Sequence, residues 1–279
     1  MRTVTNLSAI LVVLVPSFFI LYHLLTFLLP AMKVLSISKS EDVPLAAIDG
    51  KPTLVYWNSA GWSNPIRLAL AVANADFVDV RIEAGDSCDS SSYKMAWLDA
   101  KHIIGSTGVF EFPNLPYYME GETVKLVQSE AIFRHVGRKY NLLPKSMAQH
   151  RFEMLSEEIK DYDGYFISSS YSANGPDLIG QWIKEALPKK LAVWGGIVGS
   201  ALIDGPNAKI SILDIKLYCF LRKVKFAQAE LNIKPSSHES WVETYMKCVE
   251  DVPEVKAYVN SVDYLHRPLN NPHATFGNV

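Results

Sequence analysis

A chain of 279 residues has room for one or two domains and a substantial core. Its 49% hydrophobic and 20% charged residues suit a globular body plus one apolar segment, and a formal net charge of -2 without a long basic run counts against a nucleic-acid surface. The three cysteines, Cys88, Cys219 and Cys248, lie far apart with no Cys-x-x-Cys pair, which counts against a disulfide framework, a zinc site or a dithiol redox motif and points to a reducing compartment.

Residues 7–32 read LSAILVVLVPSFFILYHLLTFLLPAM and are almost wholly apolar. Roughly twenty such residues cross a bilayer as a helix. A cleavable signal peptide is the competing reading, but its apolar core usually runs about 7–15 residues. No small-x-small site closes this stretch before Lys33. The first block, residues 1–35, is therefore expected to be a retained single-pass anchor, with Pro16 tolerated as a kink and His23 as a lone polar group. Arg2 precedes the span while Lys33 and Lys39 follow it, so the positive-inside rule places the body in the cytosol. Residues 36–51 show no periodicity and read as a polar tether.

The folded body is expected from residue 52. Residues 53–57 (TLVYW) make a buried strand, and Ser63-Asn64-Pro65 starts a helix with proline in its first turn, ending near 74–76. Residues 77–82 alternate as a second strand, 86–92 form a polar loop and 93–100 a short helical piece. Residues 117–120 and 123–127 make a hairpin turned at Gly121. An amphipathic helix opens at Gln128-Ser129-Glu130 with Ile132, Phe133 and Val136 on one face, and Ser129 suits its N-cap. This β-α-β-α-β-β-α order over residues 52–140 is that of a thioredoxin-like domain with a mixed sheet. After a linker at 141–147, residues 148–279 read as an all-helical domain, with runs at 148–162, 178–202, 241–249 and 253–262. Ser211-Ile212-Leu213-Asp214 has the form of an N-capping box that launches a core helix.

Three places could carry chemistry. Tyr56 ends the first strand, where strand ends deliver groups to a cleft. Pro116 sits just before a strand, so the Leu115-Pro116 bond is a candidate for cis. The helix start at Gln128 and Ser129 offers amides and a positive dipole end to an anion. Each alone has a plain structural reading: a core aromatic, an ordinary hairpin, a capped helix.

Together the motifs form a longer pattern: Y-W-x-x-x-G at 56–61 with I-R at 66–67, W-L-x-x-K at 97–101, F-P-N-L-P-Y at 112–117, Q-S-x-A-I at 128–132 and R-K-Y-N-L at 138–142. Over roughly residues 52–268 this resembles the soluble glutathione transferases, the mu class most closely. The resemblance implies that the Tyr56 hydroxyl hydrogen-bonds the sulfur of glutathione and favours its thiolate. A free thiol of pKa about 8.5 is mostly protonated at neutral pH, and a hydrogen bond to the charged form lowers that value. It also implies that Trp57 lies beside the glutathione backbone and that Trp97 and Lys101 grip the glycyl carboxylate with their N–H donors. Asn114 contributes to binding, a cis Leu115-Pro116 bond presents a backbone edge to the cysteinyl part, and Gln128 and Ser129 hold the γ-glutamyl carboxylate. Arg67 reads as structural. Glu153 matches the acidic residue that the family offers to the glutathione amine across a homodimer, where mu proteins carry Asp.

Other positions depart from the family. Trp62 replaces a smaller aliphatic residue and narrows the electrophile side, and Asn58, Ser59 and Ala60 replace the family's Asp-Ile-Arg. Tyr162 and Tyr165 are placed either to present a hydroxyl to the electrophile or to pack. The implied protein is a membrane-anchored, homodimeric glutathione transferase of the detoxification type, an α/β thioredoxin-like domain followed by an all-helical one. It would join the thiolate of its co-substrate glutathione to a hydrophobic electrophile, with no metal or prosthetic group. A non-catalytic binding or scaffold protein of the same fold and a glutathione-dependent prostaglandin isomerase are the alternatives.

Overall fold

The computed structural model describes residues 32–278. Five strands form one sheet in the spatial order β1-β3-β2-β4-β5. They are β1 Lys33–Ile37, β2 Thr53–Trp57, β3 Val78–Ile82, β4 Tyr117–Glu120 and β5 Val124–Val127. Strand β3 runs parallel to both β1 and β2, whereas β4 is antiparallel to β2 and β5 to β4. The expected mixed sheet is present, with one strand more than its sequence announces.

Helix α1 (Asn64–Val72) and helix α3 (Ser129–Lys139) pack together on one face, joined there by Leu54 and Tyr118. Helix α2 (Met95–Thr107) covers the other face over Val55, Tyr117 and Met119. Successive strand residues thus feed opposite cores, the period-2 rule at work. The second domain holds α4 (Gln149–Ser170), α5 (Gly175–Glu185), α6 (Leu187–Val198), α7 (Ile212–Glu230), α8 (Val242–Glu250), α9 (Pro253–Val259) and the short α10 (Val262–Leu265). Helix α7 is its axis, and nearly every residue from Ile212 to Leu221 is buried. Its capping box forms as expected: the Ser211 hydroxyl accepts from the Asp214 amide at 3.2 Å, and the Asp214 carboxylate accepts from the Ser211 amide at 2.9 Å.

Three expectations change. The folded body begins at Lys33, because residues 33–37, split in the sequence reading between anchor and tether, add β1 to the sheet edge. That strand is mostly exposed and held by its backbone, so no apolar period marks it. The rest of the supposed tether, residues 38–51, also packs on the body: Val43 is buried in the α2-side core and the Tyr117 hydroxyl donates to the Pro44 carbonyl at 2.7 Å. The run at 178–202 splits into α5 and α6 at Ala186, where Pro188 occupies the first turn of the second helix and lacks an amide donor. Residues 7–31 of the expected anchor lie outside the described residues, and among the described ones no helix is long and apolar enough to cross a membrane.

A chain of buried charges joins the two domains. The Arg67 Nε on α1 donates to both Asp79 oxygens on β3, at 2.9 and 3.0 Å, with both side chains wholly buried. Arg81 Nε reaches the same carboxylate at 2.7 Å, and its guanidinium grips Asp263 of α10. Asp263 in turn holds Arg267. Burial alone would raise the Asp79 carboxyl, but Arg67, Arg81 and Arg267 outweigh it and hold it below the usual carboxylate range. Removing the carboxylate leaves buried guanidinium charge unpaired. Asp79→Asn should therefore lose about 3–5 kcal/mol at neutral pH, read from chemical unfolding. Because folding depresses this carboxyl, its stabilisation exists above the unfolded value near pH 4 and fades as pH falls further, so variant and wild type should converge in acid. Equal unfolding midpoints at neutral pH would show that the pair contributes nothing.

Candidate active site

Sheet register gathers three of the candidate segments at one end of the molecule. Val55 pairs with Tyr117, and Tyr117 with Val127. Tyr56 and Trp57, the Asn114-Leu115-Pro116 turn, and Gln128 with Ser129 therefore leave adjacent strands at the same level. Two strand spacings separate the outer pair, about 10 Å, close to the reach of an extended tripeptide. The Leu115–Pro116 bond is cis, as expected.

At one edge, Tyr56 is buried, and its hydroxyl accepts a hydrogen bond from the Trp62 amide at 3.3 Å. Burial pushes the phenol up to about 12, partly offset by that amide. Through the neutral range it therefore keeps its proton and has an O–H to donate. The loop after β2 is gripped from two sides. Beneath it, Arg67 Nη1 donates to the Ser59 carbonyl at 2.6 Å and Nη2 to the Trp57 carbonyl at 3.3 Å, with the guanidinium 5.9 Å from the Tyr56 ring centre. From the C-terminal segment, the Pro268 and Leu269 carbonyls accept from the Ala60 and Gly61 amides at 2.8 and 3.0 Å. Arg67, read from sequence as structural, is the underside of this loop.

At the other edge, the helix start departs from expectation. Gln128, not Ser129, is the N-cap of α3, with φ +73°, and no side chain caps that end. Ser129 is the first helical residue, and its hydroxyl is not committed as a cap. An N-cap residue with left-handed φ is costly for a side chain like glutamine and marks functional positions. Helix α3 is pinned to the second domain by Glu130, which accepts from Lys216 Nζ at 2.6 Å, and Lys216 also reaches Ser156 at 3.0 Å.

The remaining candidates are more scattered. Trp97 on α2 is buried, 6.1 Å from the Tyr117 ring, and Lys101 is exposed one turn later. Trp57 is half-buried. The Asn114 side chain accepts from the Leu115 amide at 3.0 Å. Glu153 lies on α4 and accepts from Gln149 at 2.9 Å; among the described residues no hydrogen bond joins it to another candidate. Tyr162 and Tyr165 pack on Trp182, and Tyr162 also on Trp194.

Tyr171, just past the end of α4 and outside every motif of the sequence, lies close enough to Tyr56 to affect its ionisation. Its hydroxyl accepts from the Asn271 amide at 2.9 Å. The C-terminal segment thus runs from the Tyr56 loop past Tyr171 to His273, whose ring lies 5.5 Å from Tyr93. Trp62 lies over Gly164 of α4, where an added Cβ would sit 3.6 Å from its ring. Aromatic side chains, Trp62 among them, thus gather between the Tyr56 loop and α4. The signal for Tyr171 was its place at the end of the α4 pattern, which the sequence reading closed at residue 162.

The glutathione S-transferase N-terminal domain family matches residues 52–138. A glutathione S-transferase of Dermatophagoides pteronyssinus is 34% identical over 211 residues, 75% of this chain and 90% of that protein. Human glutathione S-transferase Mu 2 is 29% identical over 231 residues, 81% of this chain and 98% of its own length. Among solved structures, a Pi-class glutathione S-transferase of Onchocerca volvulus superposes with a TM-score of 0.63 at 27% identity, covering 80% of this chain and 99% of that one. Strand β1 lies before the matched N-terminal domain.

Gly61 has φ +40°, and a Cβ there would come within 2.5 Å of the Tyr56 hydroxyl oxygen. Gly61→Ala must move the phenol or the loop. Overpacking and the left-handed backbone together should cost at least about 2 kcal/mol in equilibrium unfolding. A loss below about 0.5 kcal/mol, the range of ordinary surface substitutions, would show that the hydroxyl is not held against this loop.

Proposed function

The chain belongs to the glutathione S-transferase family, and from that premise we propose that this transferase joins glutathione, its co-substrate, to apolar electrophiles with Tyr56 as the thiol-activating donor. One observation carries the reading: a buried, protonated tyrosine hydroxyl at the same sheet end as the cis Leu115–Pro116 turn and the open start of α3. Glutathione would lie across that end. Its γ-glutamyl carboxylate would meet the α3 amides with Gln128 and Ser129, its cysteinyl part the Leu115 backbone, and its glycyl carboxylate Trp97 and Lys101. The sulfur then lies beside Tyr56, whose O–H stabilises the charge that forms there. The thiol releases its proton to solvent, the thiolate attacks the electrophilic carbon, a carbon–sulfur bond forms and the leaving group departs with its electron pair. Fixing both reactants in one geometry supplies further rate.

Glutathione-affinity capture of the protein followed by a thioether-formation assay tests the reading. Captured protein without turnover would instead favour a binding or scaffold role.

Two further elements belong to the proposal. Phe112, near Asn114 in the chain, and Met154, next to Glu153, are large apolar side chains left 57% and 59% exposed, and the proposed homodimer would cover them. Sedimentation as a fully active monomer would rule that out. Residues 7–32 would anchor the body to a membrane from the cytosolic side, joining β1 with no long tether; a mature chain starting near residue 33 would contradict this.

Ser129→Ala should weaken glutathione binding about ten- to a hundred-fold while turnover at saturation changes far less. It removes a hydrogen bond to a charged group, about 1.5–3 kcal/mol, at a point remote from the sulfur. An unchanged KM for glutathione would assign Ser129 to the helix alone.

A further inference from the structure

Asp263 is far from Tyr56 in the chain, yet both grips on the Tyr56 loop lead back to it. One route passes through Arg81 to Asp79, then to Arg67, whose guanidinium ends on the Trp57 and Ser59 carbonyls. The other passes through Arg267, held by Asp263 and by the Tyr258 hydroxyl at 3.0 Å. The residues directly after it, Pro268 and Leu269, take the Ala60 and Gly61 amides. The gripped loop carries the two groups that set the phenol: Gly61 against its ring and, one residue on, the Trp62 amide donating to its oxygen.

We infer that Asp263 is a positioning residue for the thiol-activating step, clamping the Tyr56 loop from both sides so that the hydroxyl meets the sulfur in a fixed place. The inference rests on the functional reading above. A carboxylate suits the task because its two oxygens serve two guanidinium groups at once. Neither grip involves the far end of the site, where Glu130, Lys216 and Ser156 hold the start of α3. Loss of Asp263 should therefore affect the sulfur and spare the carboxylate contacts.

The charge count makes the test sharp. The cluster holds three guanidiniums, of Arg67, Arg81 and Arg267, against the two carboxylates of Asp79 and Asp263. Asp263→Asn raises its net positive charge. Acting through the field alone, the substitution would favour a nearby thiolate and lower the pKa of bound glutathione. Acting through the clamp, it loosens the hydroxyl and raises that pKa. The two mechanisms predict opposite signs.

The experiment is a titration of the thiolate ultraviolet absorbance of bound glutathione in the wild type and Asp263→Asn, with rates measured on an activated aryl chloride. The expected result is a rise of about one pH unit, hence roughly tenfold less thiolate at neutral pH. KM for glutathione should stay within about twofold, since carboxylate binding is unchanged between ground and transition states. Asp251→Asn, which breaks the exposed pair with Lys247, should leave the curve in place. If Asp263→Asn unfolds below the assay temperature, Arg267→Lys keeps the charge but loses the planar fork shared between Asp263 and Tyr258, so the field predicts no shift and the clamp predicts a rise. A bound-thiol pKa that falls, or stays put while stability drops, overturns the inference and leaves the transferase reading intact. A wild type with no bound thiolate at neutral pH overturns that reading itself.

Discussion

A fully buried guanidinium is the constraint on which the rest of this molecule depends. Taking a charge out of water costs several kcal/mol unless partners replace its hydration, and Arg67 has no exposed side-chain surface at all. Its donors are therefore committed: Nε to both oxygens of Asp79, and the terminal nitrogens to two main-chain carbonyls of the loop after β2. One side chain thereby ties α1 to β3 and sets the height of the loop that begins at Tyr56. A lysine could not do this, having no planar fork to divide between a carboxylate and two carbonyls.

The proposed site divides into two halves with separate supports. The half proposed for the sulfur rests on buried charge and a closely packed loop around the Tyr56 hydroxyl. The half proposed for the carboxylate rests on the open start of α3 and on the Glu130–Lys216–Ser156 contacts that tie it to the second domain. In Lys216, burial lowers the ammonium's hold on its proton more than Glu130 restores it. This pair thus belongs, like Arg67 and Asp79, to those that punish loss of one partner more than they reward the presence of both.

Much of this was legible in the residues. Tyr56 at a strand end, the Leu115-Pro116 turn and the Gln128-Ser129 helix start were read together, and the sheet register brings them to one level. The Ser211–Asp214 box was read from its spacing alone, because a cap is a local interaction. What escaped the sequence was non-local or written in the backbone. Strand β1 is held by main-chain hydrogen bonds at a sheet edge and leaves almost no apolar pattern. Residue preference at N-caps favours Ser129, whereas Gln128 occupies that place with a backbone angle that no composition rule predicts. Tyr171, near Tyr56, is tied to the C-terminal segment by a contact 100 residues apart in the chain. The route from Asp263 to Tyr56 is invisible for the same reason.

The role proposed for the buried Tyr56 hydroxyl is to stabilise the thiolate of bound glutathione. The most direct measurement follows the ultraviolet absorbance of that thiolate against pH in the wild type and in Tyr56→Phe, which removes one oxygen and keeps the ring. The wild-type midpoint should lie below the free-thiol value of about 8.5, and that of the variant about one unit or more higher, each unit equal to about 1.4 kcal/mol of lost preference for the charged form. Coincident curves with glutathione bound in both proteins would contradict the account.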